Sequence, residues 1–174
     1  MLLIITGNGK GKTTSALGTA IRGIGWGLKV AIVFFDKGGS HYGEQHILEL
    51  LQEKIESHRY GMERFNEANQ TFRFENSAED VKEAERANQK VMQLLEGHYN
   101  IIVADEIINA MNLGLLKEEQ VKETLAKRPV ETHLILTGRN VPDWLGDQAD
   151  LISEVKEVKH YYKKVKGAIK GIDY

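Results

Sequence analysis

The segment TGNGKGKTT, residues 6–14, places three glycines and two lysines directly after the apolar run MLLII. Glycines let successive backbone N–H groups turn inward around an anion, and a helix that begins after them directs its partial positive charge to the same point. Gly11, Lys12 and Thr13 match the GK[ST] end of the phosphate-loop pattern. The segment therefore predicts a phosphate-binding turn between a strand and a helix.

Within this turn, the pattern assigns Lys12 to the terminal phosphates of a nucleotide and the Thr13 hydroxyl to Mg²⁺. Thr6 stands where the pattern has its first glycine, and a dinucleotide-binding fingerprint would need a third glycine at Lys12. A lysine there suits a triphosphate better, although Asp36 lies at a suitable distance for the dinucleotide alternative. A turn that binds nothing would not explain the paired lysines and threonines. The residues expected to contact the nucleotide are Gly7, Asn8, Gly9, Lys10, Gly11, Lys12, Thr13 and Thr14.

Short runs rich in Ile and Val alternate with segments of helical periodicity, which is typical of buried parallel strands joined by crossover helices. We therefore expect one α/β domain over residues 1–174, with a mostly parallel sheet flanked by helices. Ser77 is expected to cap one of the helices. The predicted strands are 2–6, 29–35, 100–106, 132–138 and 150–155, with a further strand in 58–65, and the predicted helices are 13–24, 78–96 and 117–127.

The overall composition argues against several classes of function. The net charge of -2 gives no general attraction to nucleic acid or anionic lipid, and the chain has no cysteine for disulfides, thiolate catalysis or cysteine-based zinc sites. The histidines form no HExxH motif, so no zinc site is predicted. No apolar stretch approaches the roughly 20 residues that cross a bilayer. We expect a soluble, cytoplasmic protein without nucleic-acid or membrane partners.

Two further strands end in charged residues. The run IIVADE ends in Asp105 and Glu106, where a phosphate-loop protein places the acid that holds Mg²⁺ beside the loop threonine, so Thr13, Asp105 and Glu106 are the predicted metal residues. Glu106 could instead be a surface carboxylate at a helix start. LILTGR brings Arg139 to the same sheet edge, where it would reach phosphate or form a surface salt bridge. Because the guanine-reading NKxD element is absent, the expected nucleotide is ATP.

Several longer blocks resemble the corrinoid adenosyltransferases of the phosphate-loop type. They occur in the order and spacing of that family over residues 3–174: TGNGKGKTTSALGTAIRGIGWGLKVAIVFFDKG, ADEIINAMNLGLL, RPVETHLILTGR, ADLISEVKEVKH and GIDY. The resemblance implies a P-loop NTPase-like (RecA-like) three-layer fold. It also implies transfer of the 5′-deoxyadenosyl group of ATP to Co(I) of a cobalamin or cobyrinic acid derivative, with release of triphosphate.

The resemblance also implies roles for residues and partners. Lys12 and Arg139 would stabilise the triphosphate charge, Thr13 and Glu106 would hold or orient Mg²⁺, and Asp105 would support them, with Lys12, Glu106 and Arg139 as the catalytic set. A homodimer and an electron-donating flavoprotein are implied as well. The residues leave open two alternatives, a phosphoryl-transferring ATPase or kinase and a nucleotide-dependent switch protein.

Members of this family surround the corrinoid with an apolar wall, and the blocks DKGGSHYGE and TFRFEN resemble the segments that form it, with Phe72 and Phe74 as candidates. The alternative is that these aromatic residues belong to the core. The sequence departs from the family at Phe34, where a glutamine is usual, and at Phe74, where a tryptophan is usual. It also opens on the first strand at Met1 rather than on a covering arm, so we expect a more exposed site or another lid.

Overall fold

The computed structural model describes residues 1–39, 42–63, 65–66, 71–72, 75–161 and 169–174, with the backbone alone for 65–66 and 71–72. Strands and helices alternate along most of the chain. The strands are β1 (Leu2–Thr6), β2 (Val30–Phe34), β3 (Ile55–Arg59), β4 (Phe65–Asn66), β5 (Thr71–Phe72), β6 (Ile101–Asp105), β7 (His133–Thr137) and β8 (Leu151–Glu154). The helices are α1 (Lys12–Gly25), α2 (Gly43–Leu50), α3 (Ala78–Glu96), α4 (Ile107–Asn112), α5 (Glu118–Ala126) and α6 (Asp143–Gly146).

Six strands form one sheet in the order β3-β2-β6-β7-β1-β8, and every neighbouring pair in it is parallel. All five residues are buried in both β2 and β6, as expected for strands covered on two faces. The short strands β4 and β5 pair separately as an antiparallel ribbon. The predicted α/β fold with a mostly parallel sheet is confirmed.

Helices cover both faces of the sheet, which gives three layers. On one face, Ala16 and Ala20 of α1 pack in a buried cluster with Ile32 of β2. On the other face, the buried side of α3, including Ala84 and Val91, packs in a second cluster with the opposite faces of the strands. Burial of these apolar side chains stabilises the fold by on the order of 25 cal/mol per Å² of apolar area removed from water. The packing also holds the strands in the order that brings their carboxyl ends together at the site.

The five strands predicted from apolar runs and the three predicted helices agree with the structure to within about two residues at each end. Ser77 caps α3 as predicted, because its hydroxyl accepts from Asp80 N while the Asp80 carboxylate accepts from Ser77 N. The further strand predicted in 58–65 is wrong in its bounds. The strand observed there, β3, begins at Ile55 and ends at Arg59.

The carboxyl ends of the parallel strands lie at one edge of the sheet, and each of the central strands delivers a polar segment there. The glycine loop follows β1, Lys37 lies shortly after β2, Glu106 follows β6, and Arg139 lies two residues after β7. This is the edge at which open α/β sheets bind ligands. Among the residues that the structure describes, no helix has the length and apolar character needed to cross a membrane.

Candidate active site

The glycine loop wraps closely against the chain that follows β8. Gly7 has a φ of 102°, and a Cβ atom there would lie 2.4 Å from the carbonyl oxygen of Val155, so a larger residue would clash. Gly9 N donates a 2.7 Å hydrogen bond to the same oxygen. Helix α1 begins at Lys12, directly after Gly11. The predicted order of strand, glycine loop and helix is confirmed.

The glycine loop encloses the side-chain ammonium group of Lys12. Its Nζ donates to the carbonyl oxygens of Gly7 at 2.9 Å and Gly9 at 3.1 Å, and only 7% of the residue is exposed. Burial lowers the pKa of Lys12, with Arg139 and Lys10 acting in the same direction and Glu106 opposing them. The loop carbonyls thus hold an ammonium group at the centre of the turn.

Asp105 lies under the loop with its carboxylate fully buried. Its Oδ1 accepts a 2.8 Å hydrogen bond from the Thr137 hydroxyl, and its Oδ2 accepts a 3.2 Å bond from the Thr13 hydroxyl. Lys37 Nζ lies 3.3 Å from Oδ2. Burying a carboxylate is costly unless it is paired and hydrogen-bonded, and here three side chains from different elements provide these contacts. The predicted proximity of Thr13 and Asp105 is present.

Lys37 was not predicted as a site residue. Its Nζ also lies 2.7 Å from Glu44 Oε1, and it is 5.0 Å from the ring centroid of Phe34. Burial lowers the pKa of Lys37, but Asp105 and Glu44 act against it and raise the pKa above its ordinary value. The rule that singled out Asp105, a polar residue just beyond a buried strand, also applies to Lys37 after β2 and could have identified it.

Glu106 occupies a strained position directly after β6. Its φ of 65° lies in the left-handed region, which non-glycine residues rarely adopt. Its N–H donates a 2.8 Å hydrogen bond to Thr137 Oγ1, and Asn109 Nδ2 donates to its carboxylate. Burial, and then the charge of Asp105, raise the pKa of Glu106 to about 7. Glu106 lines two cavities of the structure, so its carboxyl is part of a cavity wall.

Arg139 is placed by the turn that follows β7. Gly138 has a φ of 147°, and Arg139 N donates a 2.7 Å hydrogen bond to Asn109 Oδ1. Asn109 therefore contacts both Glu106 and the backbone of Arg139, and it orients the two predicted catalytic residues together. Sequence reasoning missed Asn109 because amides are frequent on helices and its partner Arg139 follows a distant strand, β7.

Two cavities meet at these side chains. The first has a volume of about 590 Å³ and is lined by residues 8–14 of the loop, and the second has a volume of about 470 Å³ and extends along α4. The residues that line both cavities are Lys12, Lys37, Tyr42, Glu106 and Arg139. The structure thus brings the predicted catalytic set Lys12, Glu106 and Arg139 to one boundary, and it places Asn8, Gly9, Lys10, Gly11, Thr13 and Thr14 around the first cavity.

Phe72 and Phe74 were predicted to contact a corrinoid. Phe72 lies in β5, and Phe74 is outside the described residues. Phe34, which departs from the family pattern, is 1% exposed and packs in the cluster beneath α1. Phe34 is therefore a core residue that supports Lys37 through its ring.

Within the described part of the chain, no group of three or more His, Cys, Asp or Glu side chains is arranged to hold a metal ion. The oxygens of Thr13 and Asp105 nevertheless offer the hard donors that Mg²⁺ prefers, and the Lys37 ammonium group shows that a cation is accommodated beside Asp105. Mg²⁺ commonly takes one or two protein ligands and completes its shell with water and substrate phosphates. The donor set fits that mode of binding.

A comparison with family models gives a match over residues 1–174 to ATP:corrinoid adenosyltransferase BtuR/CobO/CobP. The chain belongs to this family. The adenosyltransferase resemblance found in the sequence blocks is thereby confirmed. The family acts on two substrates, ATP and a corrinoid, and belongs to the transferases.

Curated relatives of this adenosyltransferase agree with the match. A corrinoid adenosyltransferase of Pseudomonas aeruginosa is 33% identical over the whole chain and 83% of its own length. The corrinoid adenosyltransferase of Escherichia coli K12 is 32% identical, and corrinoid adenosyltransferase CobA of Salmonella typhimurium is 33% identical, each over 100% of this chain and 85% of the relative.

Proposed function

We propose that this adenosyltransferase transfers the 5′-deoxyadenosyl group of ATP to Co(I) of a corrinoid and releases triphosphate. The cobalt supplies the electron pair of the new cobalt–carbon bond at C5′, and the pair of the broken C5′–O bond leaves with the triphosphate. The observation that carries this proposal is the meeting of Lys12, Glu106 and Arg139 at the boundary of two adjoining cavities. One cavity would hold the leaving group and the other would admit the nucleophile.

The leaving group accumulates negative charge on three phosphates, so the protein must provide positive charge where that charge develops. Lys12 is held in the loop, α1 begins at the same place, and Arg139 lines the cavity from the carboxyl end of the neighbouring strand β7. The loop and the strand ends hold these groups at one edge of the sheet. Such preorganisation lowers the cost of rearrangement in the transition state.

Mg²⁺ would be held by the Thr13 hydroxyl and the triphosphate, with Asp105 and Glu106 on its protein side. When bound, it would neutralise phosphate charge as a Lewis acid. Thr137 orients both acids, because its hydroxyl bonds to Asp105 Oδ1 and to Glu106 N. One buried side chain thus fixes the Asp105 carboxylate and the backbone from which the Glu106 side chain extends.

The entering corrinoid must approach C5′ from the side opposite the triphosphate. The 470 Å³ cavity along α4 shares Lys12 and Glu106 with the cavity around the loop, and we assign the approach of the corrinoid to it. The apolar wall at Phe72 and Phe74 stays a prediction. So do the homodimer, the electron-donating flavoprotein and the cytoplasmic location, which are supported by the family resemblance.

The reaction class is tested by product identity. Purified protein is incubated with MgATP and chemically reduced cobalamin in the dark, and the products are separated by anion-exchange and reversed-phase chromatography. We expect a light-sensitive alkyl-cobalt product and free triphosphate in equal amounts. A reaction lacking cobalamin is the control for ordinary ATP hydrolysis.

Two other results would contradict the proposal. ADP with inorganic phosphate would indicate a phosphoryl-transferring ATPase or kinase, the main alternative for a phosphate-loop site. Tight ATP binding without turnover, together with a protein partner whose affinity follows the nucleotide, would indicate a switch protein.

A further inference from the structure

The phosphate loop contacts a second segment of chain, Ile169–Tyr174, which we name the closing segment. Its residues 171–174 line the 590 Å³ cavity together with the loop. The segment forms a compact turn, in which Gly171 N donates to Tyr174 O at 2.7 Å and Asp173 N donates to Ile169 O at 2.8 Å. It therefore presents a folded wall to whatever occupies the cavity.

Asp173 fastens this segment to the loop. Its Oδ1 lies 2.9 Å from Lys10 Nζ, and its Oδ2 accepts hydrogen bonds from the Tyr161 hydroxyl and, at 2.7 Å, from Ile169 N. Tyr161 and then Ile169 hold the pKa of Asp173 at about 2, so the carboxylate is charged at neutral pH. Oδ2 of the carboxylate is thus held by the Tyr161 hydroxyl and Ile169 N, while Oδ1 pairs with Lys10 of the loop.

The segment also reaches the opposite side of the cavity. A Cβ atom on Gly43, at the start of α2, would lie 3.7 Å from the Tyr174 carbonyl carbon, which is ordinary van der Waals contact. The next residue, Glu44, pairs with Lys37. The closing segment therefore extends from the phosphate loop to the element that holds Lys37, across the cavity in which we place ATP.

We propose that the closing segment retains the bound nucleotide, and that Asp173 is the positioning residue that holds it on the loop through Lys10. An ammonium group has three N–H donors, so Lys10 can bond to Asp173 and to a phosphate at the same time. Lys10 then separates the two anions and links the segment to the ligand. The identity of that ligand as ATP rests on the proposed function.

Asp173→Asn tests this, with Lys10→Met and the double variant completing a cycle. ATP dissociation is followed by stopped-flow fluorescence of a labelled analogue, and binding of ATP itself by calorimetry without corrinoid. We expect Asp173→Asn to dissociate ATP about tenfold faster and to raise KM more than it lowers kcat, as for a contact worth about one decade of affinity. Because Asp173 is proposed to act through Lys10, the double variant should bind ATP no more weakly than Lys10→Met alone.

Glu123→Gln is the matched control, because it removes the partner of Lys127 on α5, away from the cavity. Tyr161→Phe is a second variant that keeps the ring and removes the hydroxyl donor to Asp173. It should shift ATP dissociation in the same direction by a smaller factor. Thermal unfolding of each variant, measured without ligand, separates a local effect from loss of the fold.

Unchanged or slower ATP dissociation in both Asp173→Asn and Tyr161→Phe would overturn the proposal. If Lys12→Ala still weakens ATP binding in that case, the proposed function stands and only the closing segment is misassigned. Conversely, ADP as the sole product together with fast ATP loss in Asp173→Asn would overturn adenosyl transfer and leave the role of the segment intact.

Discussion

The Thr137 hydroxyl donates a 2.8 Å hydrogen bond to Asp105 Oδ1, and both residues are fully buried. The same hydroxyl accepts from Glu106 N, so one side chain of β7 orients two consecutive acids of the neighbouring strand. Valine has nearly the same shape as threonine but lacks the hydroxyl. The exchange therefore isolates this hydrogen-bonding role.

We expect Thr137→Val to lower the free energy of unfolding by about 1–3 kcal/mol, because it leaves a buried carboxylate oxygen and a buried N–H without their partner. Adenosyl transfer should fall as well. Thr124→Val is the control, since the buried Thr124 hydroxyl donates to Asn88 on α3, far from the cavity. Urea unfolding and steady-state rates are measured for both. Equal losses of activity would contradict a specific role for Thr137.

Lys12→Ala should reduce kcat for adenosyl transfer by roughly 10²–10³-fold, because it removes a positive charge from the departing triphosphate. Lys29→Met is a suitable control, since Lys29 lies over the ring of Tyr99 at the other end of the sheet. Rates are compared at saturating ATP and corrinoid. Near-normal turnover in Lys12→Ala would rule out its assignment.

Lys37→Met should destabilise the ligand-free protein by about 3 kcal/mol, because Asp105 and Glu44 lose their shared cation while Asp105 remains buried. Lys37→Arg should recover part of this loss. Thermal unfolding without ligand provides the measurement. Lys122→Met, which breaks an exposed pair with Glu118, should change stability by about 0.5 kcal/mol or less. An equally small effect at position 37 would show that the ion network is unimportant for the empty site.

Glu56 provides a test of pH dependence outside the site. The Tyr99 hydroxyl, and then His58 and Lys90, lower the pKa of Glu56 to about 2. A carboxyl with a lowered pKa stabilises the fold above its unfolded pKa and loses that contribution as the pH falls through its folded pKa. The free energy of unfolding of the wild type should therefore decrease as the pH falls from about 4.5 to about 2. Glu56→Gln should lack the part of this decrease that comes from protonation of Glu56.

This is measured by urea unfolding across that pH range. Tyr99→Phe should move the pKa of Glu56 back toward its ordinary value and narrow the range over which stability is lost. Parallel stability curves for the wild type and Glu56→Gln would contradict the role given to this carboxylate.

The features that could be predicted from the sequence are those with a local cause. Continuous apolar runs marked the buried strands, and Ser77 marked the start of α3, because each pattern contains its own physical reason. The loop and Asp105 could be predicted for the same reason. β3 was misplaced because it is an edge strand with alternating exposure and has no continuous apolar run.

The remaining features depend on contacts between distant parts of the chain. The pairing of Lys37 with Asp105 follows from β2 and β6 being neighbours, and strand order is not contained in any one segment. The contact of Asp173 with Lys10 joins nearly the two ends of the chain. Contacts of this kind cannot be predicted from one segment of sequence, because they form only in the folded protein.

The outer support of the phosphate loop comes from Val155, the residue directly after β8, whose carbonyl oxygen accepts from Gly9 N and leaves no room for a side chain at Gly7. Among the strands that the structure describes, β8 pairs only with β1, and β8 is exposed along its length. Local unfolding of this edge strand would therefore loosen the phosphate loop before the central strands unfold. Protection of the amides of residues 151–155 from hydrogen exchange should then report how tightly the loop is held.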